Sequence, residues 1–199
     1  MSSVSRPGLR LWSGLFLAFA LTVPAARGAE STFDVHGGCR DGLPNGAYEL
    51  RAANGQLRVA GAFHMGKRTG TFIFWTERGR RVAAIPYDEG VRNGTIALWH
   101  VDSRASEPGR RLEAPVQRGR AEGVRRSWYP GGQPRTEAEY VDDRLVRIAA
   151  WDRSGRPVSE ETANRYERED VQAVMRELAN LEDLVTAHPP DCSAAGSVV

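Results

Sequence analysis

The chain has 199 residues, 41% of them hydrophobic, with 21 glycines and 11 prolines. That length suits one domain with at most a small appendage, and no apolar run approaches the ~20 residues that a membrane-spanning helix needs. The 27 basic and 25 acidic residues nearly balance, so their placement along the chain says more than their sum.

Residues 1–29 read as a cleavable signal peptide. Arg6 and Arg10 make a positive start, Leu11 to Val23 is an apolar stretch of only 13 residues, and Pro24 to Ala29 offers small residues for cleavage after Gly28 or Ala29. The reading makes the mature protein periplasmic or secreted, with no membrane span. Removing Arg6, Arg10 and Arg27 leaves 24 basic residues against 25 acidic ones. From Cys39 to Pro157 there are 21 basic and 14 acidic residues, a net of +7; from Val158 onward there are 3 and 9, a net of −6. A basic body and an acidic tail of this kind are expected to meet each other or separate partners.

After a short segment over 30–38, the stretch 39–157 is repetitive. Gly-x-x-x-Gly recurs at Gly42–Gly46, Gly66–Gly70, Gly90–Gly94 and Gly119–Gly123, at steps of 24, 24 and 29 residues, with a degenerate fifth copy at Asp143. The longer step falls in a polar stretch, Asp102 to Gly109. Five residues past the second glycine stand Trp75, Trp99 and Trp128, with Arg51 in the first copy. Between glycines apolar residues alternate with polar ones: Tyr48 and Leu50, Phe72 and Phe74, Ile96 and Leu98 on outgoing strands, and Val59 and Phe63, Ile85 and Tyr87, Leu112 and Val116, Thr136 and Tyr140 on returning ones. Alternation of this sort marks half-buried strands, and a slip of one residue would turn every apolar side chain to the wrong face. The pattern predicts one antiparallel meander sheet of about nine strands, built from tandem β-hairpins.

The Gly-x-x-x-Gly element, the aromatic residue beyond it, the Gly-containing turn and the Tyr87-Asp88-Glu89-Gly90 close resemble MORN repeats, in particular the bacterial YwqK-type variant. The resemblance covers Gly42 to about Gly155, with Phe63 and Val116 where the repeat has Tyr. It implies a hairpin-repeat fold and an interaction role. Such families are often classed as antitoxins or interaction modules, and eukaryotic relatives are associated with scaffolding and acidic lipids. A leader for export argues against a cytosolic antitoxin.

Beyond Pro157 the period becomes helical: Val171, Val174, Met175, Leu178, Leu181 and Val185 form one stripe on an acidic background, starting near Ser159 or Asn164 and stopped by Pro189-Pro190. A helix over 158–188, followed by a tail over 189–199, is expected to lie as a lid on the open face of the sheet. Cys39 and Cys192 flank the domain and, in an oxidising compartment, read as one disulfide. A helix leaving the far end of the sheet can bring Cys192 back to Cys39 only by running the sheet's whole width.

The residues offer no catalytic, metal-binding or cofactor site. The four histidines stand singly, and GKRTG lacks the Gly-Lys-Ser/Thr of a phosphate loop. His64 and Asp88 occupy equivalent repeat positions, but no nucleophile accompanies them. The expected function is a non-catalytic binding or scaffolding module acting through a basic, Trp-containing sheet. Arg68, Arg92 and Arg120 at the bends and Trp75, Trp99 and Trp128 are the candidate contacts; core packing is the preferred role for the tryptophans, and a solvated face is the plain alternative for the arginines. The expected partner is a protein or an anionic envelope component, and not nucleic acid. An immunity or antitoxin-like inhibitor of a protein toxin, and a hydrolase with an unrecognised site, are the alternatives.

Overall fold

The computed structural model describes residues 33–101 and 109–193. The leader expected over 1–29, most of the insertion between Asp102 and Gly109, and the end of the tail lie outside these residues. The elements are β1 (Phe33–Arg40), β2 (Leu43–Ala52), β3 (Leu57–His64), β4 (Lys67–Trp75), β5 (Arg81–Asp88), β6 (Val91–Arg92), β7 (Gly94–Trp99), β8 (Arg110–Gln117), β9 (Arg120–Ala121), β10 (Gly123–Trp128), β11 (Pro134–Val141), β12 (Arg144–Ala150) and α1 (Glu160–Thr186). They form one open antiparallel sheet in chain order, with ten strands on the main path and the two-residue β6 and β9 paired to β5 and β8. The sheet thus begins earlier than the boundary read at Cys39. Phe33 and Val35 alternate inward against the core and make the segment before Cys39 an edge strand.

Each bend at a repeat boundary is a two-residue turn in which both residues take positive φ, such as Met65 at 46° and Gly66 at 81°. This is the type I′ geometry, whose twist matches that of the flanking strands. In the degenerate fifth copy Asp142 and Asp143 adopt the same pair of angles, 48° and 65°, a region that aspartate tolerates better than most residues. The bends are also tied to one another. The amides of Gly66, Gly90, Gly119 and Asp143 donate to the carbonyls of Pro44, Arg68, Arg92 and Ala121 of the preceding bend at 2.8–3.0 Å.

At the opposite end of every hairpin the same β-bulge recurs. The register shifts at Leu50/Arg51, Phe74/Trp75, Leu98/Trp99 and Ser127/Trp128. One extra residue is thereby inserted in the returning strand: Arg58, Val82, Arg111 or Arg135. A bulged residue leaves the strict alternation, which by itself would turn Arg111 and Arg135 to the outer face. Arg111 pairs with Glu177 of the helix, and Arg135 with Glu169 and Asp170.

One face of the sheet carries the core. Tyr48, Leu50, Val59, Phe72, Phe74, Ile85, Tyr87, Ile96, Leu98 and Leu112 are buried there under Val174, Leu178 and Val185 of α1. Phe63 and Val116 pack at its margin, half-buried, and Tyr140 is half-buried as well. Gly61 has no side chain because the ring of Phe72 occupies that space: a Cβ there would lie 2.6 Å from it. The helix starts at Ser159, whose hydroxyl accepts from the amide of Thr162 at 3.3 Å, with Glu160 and Glu161 in the first turn, where acids suit the helix dipole. Met175, assigned to the apolar stripe, is instead 54% exposed.

The helix has 27 residues, ~40 Å, and ten strands at ~4.8 Å spacing span ~43 Å. It therefore crosses the whole sheet. Glu167 meets Arg125 of β10, Glu177 meets Arg111 of β8, and Glu182 meets Arg92 of β6. The carbonyl of His188 accepts from Tyr48 of β2 at 2.8 Å, and Cys192 is bonded to Cys39 of β1, with Cα atoms 5.5 Å apart. The bridge belongs to an oxidising environment. Replacing both cysteines by serine is expected to cost about 5 kcal/mol from loop-closure entropy over a separation of 153 residues. Urea unfolding of the oxidised protein and of the double variant measures this, and non-reducing peptide mapping should recover the Cys39–Cys192 peptide from single chains.

Candidate functional site

The three arginines expected to form an outward basic row do not form one. Arg68 turns inward beneath the C-terminal end of α1, donating to the carbonyl of Glu182 at 3.0 Å and to the hydroxyl of Thr186 at 2.8 Å. The last turn of the helix has no basic residue of its own, so Arg68 supplies from the sheet the cation that a helix C-terminus favours. Arg92 grips Glu182 with two bonds, Nε to one oxygen at 2.8 Å and Nη2 to the other at 2.6 Å. Tyr87 donates to the same carboxylate at 2.5 Å. Arg120 is exposed and paired with Asp142 of the next bend at 3.2 Å. Two of the three are therefore part of the fold itself.

The charges in this clamp are well determined. Burial works against the ionised form of Glu182, but the bonds from Arg92 and Tyr87 and the charges of Arg92 and Arg68 outweigh it, and its carboxyl lies below the ordinary range. Burial first, and then the bond to Glu182, push the Tyr87 phenol well above its ordinary value. Burial raises Tyr48 to about 12, so it stays a donor to His188.

The tryptophans stand on the other face. Phe74, Leu98 and Ser127 point to the helix, and alternation puts Trp75, Trp99 and Trp128 opposite them; Trp75 and Trp128 also border cavities that reach Leu181 and Leu184, and Ala173 and Val174, of α1. Core packing, the role preferred for them from the sequence, does not describe them: all three are half-buried and outside the core. The bulges align them in a row across the strands, with Trp75 beside Arg81 and Trp99 beside Arg110. The guanidiniums of Arg81 and Arg110 lie 5.0 and 4.6 Å from the Trp99 ring centre, within cation–π range. Arg110 also meets Glu113 at 3.3 Å. Beside this row the same face carries small and apolar residues, Ala60, Ile73, Ala84 and Ala97, on consecutive strands.

A second group escaped the sequence reading. Arg125 and Ser127 occupy the two core positions that hold Tyr48 and Leu50, Phe72 and Phe74, or Ile96 and Leu98 in earlier repeats. Arg125 donates to Glu167 at 2.9 Å, Tyr140 donates to the same carboxylate at 2.7 Å, and Ser127 donates to Asp170 at 2.8 Å. The signal was present: two polar residues break the alternation, and Glu167 lies one turn before Val171 on the helical stripe. His64 and Asp88, the spaced pair, share no hydrogen bond; His64 sits opposite Lys67 at the end of its hairpin. Among the described residues no group of three or more His, Cys, Asp or Glu is placed to hold a metal ion, and no helix is long and apolar enough to cross a membrane.

Neither a family model nor a curated protein matches the chain.

Because the carboxyl of Glu182 is depressed in the folded state, the stability it confers is complete above its ordinary value of 4.5 and is lost as pH falls through the folded value. Glu182→Gln is expected to destabilise the protein at pH 7 by about 1.5–3 kcal/mol, since Arg92 and Tyr87 lose a charged acceptor. The difference from the parent should shrink as pH drops below about 4.5, which denaturant melts across pH 3–7 measure directly.

Proposed function

We propose that this chain is an exported, non-catalytic interaction module of MORN-like hairpin repeats, which holds an acidic protein surface or anionic envelope polymer on the uncovered face of its sheet. The observation that carries the reading is the Trp–Arg row: Trp99 flanked by Arg81 and Arg110, with Trp75 and Trp128 in the same line. The acids of α1 compensate the arginines on the covered face. The excess positive charge of the body then falls to the other face and to the loops beside the row, where Arg78, Arg81 and Arg153 are exposed. Flat, rigid aromatic groups next to guanidiniums are the side chains that most often dominate binding surfaces. The disulfide and the leader both favour a periplasmic or secreted setting.

The role of a basic contact thus passes from Arg68 and Arg92 to Arg81 and Arg110. Changing Arg81 and Arg110 to Gln should leave the melting temperature within a few degrees of the parent, because neither group is in the core. It should weaken binding of a poly-glutamate probe by roughly 3–10-fold at low ionic strength, and by less at 0.5 M salt, where the Debye length is only a few ångströms. An Arg68→Ala, Arg92→Ala variant should instead lose stability. Unchanged affinity of the Gln variant would remove the row from the binding surface.

A further inference from the structure

Between α1 and the fourth hairpin lies a cavity of about 390 Å³, and the repeat explains why it is there. Two residues past the bend glycine, the second and third copies carry Arg68 and Arg92, which reach up to the helix. The fourth copy carries Ala121 at that position, so no side chain closes the gap. The core position beneath, filled by Phe72 and Ile96 in the earlier copies, holds Arg125.

The walls are apolar, formed by Ile96, Val116, Val171, Met175 and Leu178, while Arg125 and Tyr140 supply the polar end. Arg125 is 7% exposed. Its Nη1 is committed to Glu167 at 2.9 Å, whereas its Nε and Nη2 have no acceptor. Those two donors form the same edge that Arg92 uses to grip both oxygens of Glu182. A buried guanidinium edge left without an acceptor is costly, and here it belongs to a side chain lining a cavity large enough for a small molecule.

We propose that this cavity binds a small neutral amphiphile, an aliphatic amide or ester, whose carbonyl oxygen accepts from Nε and Nη2 of Arg125 while its chain lies among Val116, Val171, Met175 and Leu178. Both donors are shut off from solvent, and reaching the carbonyl of the ligand takes a small turn of the Arg125 side chain. The head is neutral rather than a carboxylate for an electrostatic reason. Glu167 already balances Arg125 and Glu182 already balances Arg92, and Asp143 lines the same cavity. A further anion would be a net buried negative charge, which is strongly disfavoured. At ~30 Å³ per water-sized group the cavity holds about a dozen such groups, which suits a chain of the size of octanamide. The site lies on the covered face, away from the Trp–Arg row, and stands or falls independently of it.

The test is calorimetric titration of the purified, disulfide-bonded protein with octanamide and, separately, with octanoate. Saturable one-to-one binding of octanamide, at least tenfold tighter than octanoate at pH 7, is expected. Ala121→Leu fills the cavity from the bend and leaves Arg125 untouched, and it should weaken octanamide at least tenfold; Val171→Phe fills it from the helix and should do the same if the first variant folds poorly. Octanoate binding as tightly as octanamide would overturn the choice of a neutral head. Equal octanamide affinity in a folded cavity-filling variant, or no saturable binding at millimolar concentration, would overturn the site.

Discussion

A single-layer sheet has two faces and can leave only one of them to water without a large apolar loss. Here the hairpins line one face with Tyr48, Phe72, Phe74, Ile85 and Leu98, all at most 1% exposed, and no second sheet exists among the described residues to cover them. Everything else in the fold follows from laying one helix over that face. The helix must be about as long as the sheet is wide, it must enter from the last strand, and its end must return to the first. The disulfide closes this circuit by joining the end of the lid to the edge strand β1. Apolar contact alone does not fix where the helix lies, because a stripe displaced by one turn would meet the sheet nearly as well. The ion pairs do fix it. Glu167 and Asp170 meet β10, Glu177 meets β8 and Glu182 meets β6, and a slip of one turn would separate them all. Arg125 and Glu167 are largely desolvated, so their pairing adds less to stability than its geometry suggests; its value lies in register.

Much of this was legible in the residues. The 24-residue glycine period located four bends, and the alternation between them put Tyr48, Phe72, Ile85 and Leu112 on one face, where they are buried. The +7 and −6 halves anticipated that helix and sheet would pair by charge. What the pattern could not give was which arginines would be taken. Arg68 and Arg92 look like solvent-facing bend residues because the repeat describes a hairpin by itself, and the helix is not in the repeat. The bulges were hidden for a related reason. Strict alternation sends Arg111 and Arg135 outward, and only the extra residue opposite Trp99 and Trp128 turns them towards α1. The tryptophans need no such device: each directly follows a core-facing residue, Phe74, Leu98 or Ser127, so alternation alone turns it to the other face.

The fourth repeat departs from its predecessors in a coordinated way. Arg125 and Ser127 replace two core hydrophobes, and the helix answers with Glu167 and Asp170 at the matching positions. Ala121 replaces the clamping arginine, and Met175 above it is exposed. Single departures of this kind are tolerated losses; three in one repeat, matched in charge by the helix and leaving a cavity, are a local redesign of the layer between helix and sheet. The stable, arginine-clamped third of the interface lies at the disulfide end, and the polar, less completely packed part lies towards the start of the helix.

An open sheet also has two edges, and each carries unpaired backbone groups that invite further strands. At the first edge, β1 is held by the disulfide, and Pro190 lies over Gly37, where a Cβ would come within 2.6 Å of the proline ring. At the other, the chain doubles back after β12, so that Trp151 bridges to Pro157 and the amide of Val158 donates to Ala150 at 3.1 Å. The rest of β12 remains open, with Leu145 and Val146 38% and 53% exposed. The residues flanking them are Arg144 and Arg147, and a second copy of this strand laid alongside would bring four guanidiniums onto one narrow edge. Arg147 is paired with Glu139 at 3.1 Å, but the crowding of charge and the hairpin at Asp152 to Arg156, where the chain turns back, both work against extending the row of hairpins into a neighbouring chain. The uncovered face, where we place the proposed partner, lies clear of these edges and of the protein's own strands.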